Sequence, residues 1–352
     1  MADTSSPSPL SQAIAVLARG ESLSEQLAAD LFGVVMRGEA TPAQMGGILL
    51  GLRAKGESAA EVAGVVRALR STMLKVNAEG PHVVDTCGTG GGSVPTFNIS
   101  TVAAFVAVGA GATVPKHGNR SYTSRCGSAD VLEAMGVTIP PDGKTAELTL
   151  ARARIAFLFA PHFHPAMRHL APVRKELGVT TVMNLVGPMA NPAGVRRQIV
   201  GVGDATRAPL VAEALALLGT DHALVVHGRA GMDEISPEGL TDVWEIRDGK
   251  ALHSVLDPRT LDLPRVDLGK LMGGEPSENA RRAEQILDGG ADDDAGKTAV
   301  LLNAAAAIYV AGLAADIPEG LKKARAALES GAAREVLVKL RNRGSVSVSI
   351  FG

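Results

Sequence analysis

Val83-Val84-Asp85-Thr86-Cys87-Gly88-Thr89-Gly90-Gly91-Gly92 is the stretch on which the reading of this chain turns. The valines at its front favour a strand. The glycines that follow let the main chain come within hydrogen-bonding distance of a ligand oxygen, because no Cβ stands in the way. Asn98-Ile99-Ser100-Thr101 then opens a helix, with Asn98 or Ser100 as its cap. A helix start offers unpaired N–H groups and a partial positive charge, so strand, glycine turn and helix together predict an anion site. The dinucleotide fingerprint and the Lys-Ser/Thr of a P-loop are both missing.

A second loop of the same kind follows. A strand over Ala112 to Pro115 runs into Lys116-His117-Gly118-Asn119-Arg120-Ser121-Tyr122-Thr123-Ser124, and Gly127-Ser128 lead into the next helix with Ser128 as its cap. Two fixed cations, several hydroxyls and an amide suit a polyanion such as pyrophosphate. Lys116 supplies a point charge and Arg120 a fork for two oxygens.

Outward from these loops the pattern is α/β. Strands are predicted at His82 to Asp85, Ala112 to Pro115, Ile155 to Phe159, Gln198 to Val202, Ala223 to His227 and Val243 to Ile246. Helical runs such as Thr101 to Val108, Ala129 to Met135 and Leu210 to Leu218 lie between them. That alternation predicts a largely parallel sheet with ligands beyond the carboxyl ends of its strands. Residues 1 to 75 read instead as all helix, with apolar residues at helical spacing (Leu27, Leu31, Val34, Val35). Capping boxes are expected at Ser22/Glu25, Thr41/Gln44 and Ser58/Glu61, with Pro42 at a helix start and Gly56 at a helix stop. The division is therefore a small helical N-terminal lobe, 1–75, joined by helices around 171–190, and a larger α/β domain, 76–352.

The composition narrows the function classes. Of 352 residues 46% are apolar but only 3% aromatic, so the core is built from Ala, Val, Leu and Ile. The formal net charge of -2 gives no general pull toward nucleic acid or an anionic membrane. Cys87 and Cys126 are too few for a disulfide scaffold and fit a reducing compartment as small packing residues. Met1 to Leu10 carry no basic region followed by an apolar stretch, and Thr101 to Val114 is too short for a span, so a cytoplasmic protein without membrane attachment is expected. The acidic, Gly-rich segment Gly289 to Gly296 reads as an exposed loop, without the pattern of a calcium loop.

Gly88-Thr89-Gly90-Gly91, Asn98-Ile99-Ser100-Thr101 and Lys116-His117-Gly118-Asn119-Arg120 resemble, in order and spacing, the signature of the anthranilate phosphoribosyltransferases. The likeness continues through Gly51-Leu52-Arg53, Ala171-Pro172-Val173-Arg174-Lys175-Glu176-Leu177-Gly178, Asn184-Leu185-Val186-Gly187-Pro188 and Met232-Asp233-Glu234. It implies a nucleoside phosphorylase/phosphoribosyltransferase-like fold and transfer of a phosphoribosyl group from phosphoribosyl pyrophosphate to the amine of anthranilate, in tryptophan biosynthesis. It implies a phosphoribosyl pyrophosphate site at Gly88, Gly91, Gly92, Thr96, Asn98, Ile99, Ser100, Thr101, Lys116, His117, Gly118, Asn119, Arg120, Ser121, Tyr122, Thr123, Ser124 and Ser128. Anthranilate would meet Gly88, Asn119 and Arg174, with His117, Met167 and Pro188 along its channel. Mg2+, two ions per site, would be held through Ser100, Asp233 and Glu234, and the enzyme would be a homodimer through the helical lobe. One departure stands out: the family has Asp where this chain has Gly92, which removes a carboxylate beside the pyrophosphate and points to an altered magnesium dependence.

Asp233 and Glu234 follow an apolar strand across a short loop; alone they read as a solvated acidic pair, and it is the resemblance that makes them holders of a hydrated Mg2+. Arg174 alone could be an ordinary surface cation, and the resemblance makes it the partner of the acceptor. A planar guanidinium such as Arg174 matches a planar benzoate carboxylate. His162, His164 and His169 do not share a helical face and are not read as a zinc site. An arylamine is neutral at pH 7 and carries its own lone pair, so no protein nucleophile or base is assigned. The nearest alternative is a pyrimidine nucleoside phosphorylase, against which the Lys116 to Arg120 motif and the Arg174 segment speak. A lapsed relative that binds nucleic acid should show eroded loops and a basic surface, and this chain shows neither.

Overall fold

Serine, threonine and glycine set the bounds of the helices that open the chain. In the computed structural model, which describes residues 8–121, 125–290 and 292–342, these are α1 (Pro9–Ala18), α2 (Glu25–Met36), α3 (Pro42–Lys55) and α4 (Ala59–Thr72). Capping boxes form at Thr41/Gln44 and Ser58/Glu61, and α3 stops at Gly56 with φ 87°. The box expected at Ser22/Glu25 does not form. Ser24 is the residue in extended geometry and caps α2 by accepting from Leu27 N, while Ser22 Oγ accepts from Lys55 Nζ at 3.2 Å. Glu61 is fully buried and accepts from Leu23 N (2.8 Å), Ser58 N (2.7 Å) and Lys55 Nζ (2.9 Å), so one carboxylate ties α2, α3 and α4 together.

The apolar face of these helices is shared with later segments. One cluster runs from Leu31, Ile48 and Leu69 through Leu170, Val173, Met183 and Val186 to Val200, Leu215 and Val225. Those later residues include α9 (Ala171–Leu177), α10 (Met183–Val186) and α11 (Ala208–Leu217). Polar ties cross the same seam: Arg207 pairs with the buried Glu57 at 3.0 Å, and Arg70 Nε donates to Met189 O at 2.9 Å.

The strands are β1 (Asp85–Gly88), β2 (Val114–Gly118), β3 (Ile155–Phe159), β4 (Arg197–Gly201), β5 (His222–Gly228), β6 (Thr241–Arg247) and β7 (Lys250–Leu256). The order β1-β4-β5-β6-β7 makes one sheet and β2-β3 another. β1, β4 and β5 are parallel, as are β2 and β3, whereas β6 and β7 run antiparallel. The first two strands begin later than the sequence pattern suggests, because Val83 and Thr113 form only an isolated parallel bridge. Beyond that bridge β1 and β2 separate. β7 was not anticipated: its residues are mostly exposed, so it lacks the apolar signature, and an Asp248-Gly249 turn with positive φ joins it to β6.

Helices α5 (Ile99–Gly109), α6 (Ser128–Ala134), α7 (Gly143–Ala153) and α8 (Ala160–Phe163) follow the early strands, and α12 (Pro276–Leu287), α13 (Asp294–Val310), α14 (Ile317–Glu329) and α15 (Ala332–Arg341) complete the chain. The run Thr101 to Val114 forms most of α5, buried on nearly every side against α13, α14 and α15. Within the expected loop at 289–296, Asp293 caps α13 and pairs with Arg282, so that part is structured.

Replacing Glu61 with Ala leaves Lys55 and two main-chain N–H groups without their partner in a dry seam. Stability is expected to fall by about 3 kcal/mol. Urea unfolding followed by circular dichroism measures it, and a loss below about 1 kcal/mol would remove Glu61 from this role.

Candidate active site

β1, β4 and β5 each end in glycine, at Gly88, Gly201 and Gly228. The reason is close approach of the loops above them. A Cβ on Gly201 would collide with Asp233 O, and one on Gly203 would lie 2.6 Å from both Gly91 C and Gly92 N. The first loop and the loop carrying Asp233 and Glu234 therefore rest directly on the end of β4. Thr89 fastens the first loop there, since its N–H donates to Gly201 O at 2.8 Å and its hydroxyl accepts from Gly203 N at 3.2 Å.

Gly92 belongs to the same contact. A Cβ here would lie 2.8 Å from Gly231 O and 3.3 Å from Asp233 N. The family's Asp would not fit this loop path without a main-chain shift.

Between these loops is a cavity of ≈ 10 Å³, lined by Thr86, Cys87, Gly88, Ser100, Asp233, Glu234 and Asn303 among others. That is the room of about one water molecule or small ion. Glu234 Oε1 accepts from Ser100 N at 3.1 Å, so a carboxylate sits at the start of α5. Neither Asn98 nor Ser100 caps α5 with its side chain: Asn98 is held by Cys126 O (3.1 Å) and Asn279 Nδ2 (3.1 Å) instead. Ile99 and Thr101 are buried in the first turn, and Thr96 bridges to Met272. Burial pushes Glu234 up to about 8, with the charge of Asp233 adding and Lys116 opposing. Burial also raises Asp233. Two carboxylates and a hydroxyl around so small a space, with a proton held only by their mutual repulsion and burial, fit a divalent cation that would supply the missing countercharge. No group of three or more His, Cys, Asp and Glu suited to a metal exists among the described residues, so such an ion would take its remaining ligands from substrate and water.

The second loop is placed by β2. Lys116 is buried, and its Nζ donates to Thr86 O across the gap between β1 and β2. Its charge lies beneath the first loop and stabilises the carboxylates of Asp85 and Glu234. His117 N donates to Asp85 Oδ1 at 3.3 Å, and its ring packs 5.1 Å from that of His164. Burial pushes His117 down to about 3 and His164 to about 4, so both are neutral. A Cβ on Gly118 would strike Ser128 Oγ. Ser128 is the first residue of α6; Gly127 takes the cap position. Asn119 O accepts from Ser128 Oγ (3.3 Å) and Ala129 N (3.2 Å). Arg120 turns its guanidinium to Asp130 and Glu133 of α6, and Ser121 N donates to Asp130 Oδ2 at 3.2 Å. Tyr122, Thr123 and Ser124 lie outside the described residues.

The structure thus gathers Gly88, Gly92, Ser100, Asp233 and Glu234 at one cleft, with Lys116 below it. Arg174 stands half-buried in the last turn of α9, a helix that packs on α3. Several supporting residues escaped the sequence reading. Asn303 of α13 holds the main chain beside Asp233 and Glu234 by two bonds of 3.0 Å to Ile235, and Asn191 donates to Asp85 Oδ2 (2.7 Å) and Pro115 O (2.8 Å). Neither stands in a recognisable motif; only the pairing shows their use.

Comparison with known proteins agrees with this architecture. The glycosyl transferase family helical bundle domain matches residues 11–73 and the glycosyl transferase family a/b domain matches residues 80–334. The anthranilate phosphoribosyltransferase of Anaeromyxobacter sp. (strain K) is 47% identical over 331 residues, 94% of this chain and 97% of that protein. That of Roseiflexus castenholzii is 47% identical over 346 residues, 96% and 99% of the two chains. Among solved structures, the anthranilate phosphoribosyltransferase of Thermus thermophilus superposes with a TM-score of 0.88 at 40% identity, covering 94% of this chain and 99% of that one. The Saccharomyces cerevisiae enzyme in complex with PRPP and Mg gives 0.85 at 30%, covering 95% and 97%. On sequence, architecture and the cleft between its strand ends, this chain belongs to the anthranilate phosphoribosyltransferase family.

Proposed function

We propose that this chain transfers the phosphoribosyl group of phosphoribosyl pyrophosphate to the amine of anthranilate, giving N-(5-phosphoribosyl)anthranilate and pyrophosphate in tryptophan biosynthesis. The observation that carries it is the cleft in which a glycine loop, a carboxylate pair and a buried lysine converge at the strand ends.

The phosphorylated sugar lies against the first loop, Gly88 to Gly92, and the second, Lys116 to Ser128, with Thr96 and Asn98 to Thr101 beside it. Ser100, Asp233 and Glu234 hold Mg2+, with two ions per site. When bound, the ion supplies charge stabilisation to the departing pyrophosphate. The chain's own part is to exclude water and fix the partners in line. Lys116 contributes a charge that needs no reorganisation as the leaving group becomes more anionic. Arg174 pairs with the acceptor carboxylate, with Asn119 and Gly88 beside it. His117 and His164 are too weak as bases to take the amine proton at neutral pH, and burial keeps Cys87, pushed up to about 12, a neutral thiol. The amine's own lone pair serves as nucleophile.

The division into a lobe of 1–75, joined by helices around 171–190, and a domain of 76–352 is supported by the two family models, which match 11–73 and 80–334. A homodimer through the lobe belongs to the same proposal, as the family resemblance implies. Cytoplasmic residence is in keeping with a pathway enzyme, and no helix among the described residues is long and apolar enough to cross a membrane.

Anthranilate fluorescence in the presence of enzyme, phosphoribosyl pyrophosphate and Mg2+ should fall with time; an unchanged signal refutes the activity. Arg174→Ala should raise KM for anthranilate about thirtyfold and leave that for phosphoribosyl pyrophosphate near its wild-type value. Equal losses for both substrates would remove Arg174 from the acceptor site. Replacing Asp233 and Glu234 together by Ala should move the Mg2+ concentration for half-maximal rate upward by about tenfold or more. A magnesium titration that superposes on the wild type would show that the pair holds no metal.

A further inference from the structure

The side chain of Arg120 does not reach toward the cleft. Its guanidinium donates to Asp130 Oδ1 at 2.9 Å and forks onto Glu133, at 2.7 Å to Oε2 and 2.9 Å to Oε1. It also lies 5.6 Å over the ring of Phe159, at the carboxyl end of β3. With Glu133, Phe159 and His162 it lines a second hollow, which shares no lining residue with the cleft. The other oxygen of Asp130 accepts from Ser121 N at 3.2 Å and Gly127 N at 2.8 Å. One carboxylate therefore grips the second loop at both of its ends and its arginine as well. The neck is closed so tightly that a Cβ on Gly127 would meet Ser121 N, Arg120 C and Asn119 O. Asn119 sits in that neck, its carbonyl held by the first turn of α6.

We propose that Asp130 and Glu133 are positioning residues for the second phosphate loop: through Arg120 and the two loop N–H groups they fix Asn119 and Ser121 at the cleft. The inference rests on the reading of that loop as the seat of phosphoribosyl pyrophosphate. Arg120 serves the site by its main chain and by this fork; its guanidinium is the clasp. A charge-assisted fork is directional and bidentate, so it fixes the orientation of the loop as well as its distance from α6.

The sign of one variant decides the matter. If the clasp orients the loop, Glu133→Gln and Arg120→Ala both raise KM for phosphoribosyl pyrophosphate, by about twofold to fivefold for Glu133→Gln, the worth of a half-exposed ion pair, and by at least as much for Arg120→Ala. The double variant is then no worse than Arg120→Ala alone, because that change already removes the bonds to Glu133. Asp130→Asn should show a larger rise, with KM for anthranilate changed less. If Glu133→Gln leaves this KM unchanged or lowers it while Arg120→Ala raises it, the guanidinium acts on phosphate directly and the proposal fails. It fails too if the two losses multiply in the double variant, or if only the thermal midpoint moves. Amide hydrogen exchange at Ser121 and Gly127 decides the clasp independently of substrate: faster exchange in Asp130→Asn supports it, unchanged exchange overturns it. Should calorimetry on the wild type detect no binding of phosphoribosyl pyrophosphate, the reading of the loop falls while the exchange result still judges the clasp.

Discussion

A single missing N–H shapes the centre of this molecule. Past the bridge between Val83 and Thr113, the residue of β2 that comes alongside Asp85 is Pro115, which has no donor to give to a ladder. Side chains take over where the strands part. Asp85 accepts from His117 N, and Asn191 reaches Asp85 with one hydrogen and Pro115 O with another. Lys116 enters the opened gap and ends on Thr86 O. Had the two strands stayed paired to their ends, neither the lysine nor the Asp85–Asn191 pair would have room between them.

The gap sets the electrostatics of the cleft. Asp85 is fully buried, and its carboxyl is pushed up to about 6 by that burial, against the pull of Lys116 and its hydrogen bonds. Lys116 is shared: the same charge steadies Glu234, which burial and Asp233 drive the other way. Asp85 and Glu234 thus share one buried base, and Asp233 adds its charge beside Glu234. Buried charges of one sign that outnumber their partners are costly, and a cleft in which they remain is one that gains by accepting a cation.

The parts of the fold that were legible in the sequence are those with local causes. Thr41 and Ser58 cap because the residue three places on answers them, and the apolar runs that make β3, β4 and β5 read directly as strands. Failures came where a distant partner decides. Ser22 has the right neighbour at Glu25, yet Lys55 takes its hydroxyl and Arg67 takes the glutamate. β7 is an exposed edge held by its hairpin, so no apolar alternation marks it. In the site, the glycine and acidic motifs were visible, whereas Asn191 and Asn303 were not, since a lone asparagine gains meaning only from the main chain it meets. Arg120 is a third case: its motif points to phosphate, yet Asp130 and Glu133 of α6 take its guanidinium.

Gly92 joins the two kinds of information. By motif it is a departure, a lost carboxylate. By geometry it is a contact, because the first loop touches Gly231 and Asp233 where a side chain would have to stand. The loop of Asp233 and Glu234 and the glycine loop therefore pack main chain on main chain, both seated on the glycine end of β4. A change in either loop passes to the other by hard contact and not through a flexible side chain. On the proposed reading, in which Mg2+ and pyrophosphate meet different loops, the two would rest on one rigid floor, and Gly92 would affect the metal through that packing as well as through the absent charge.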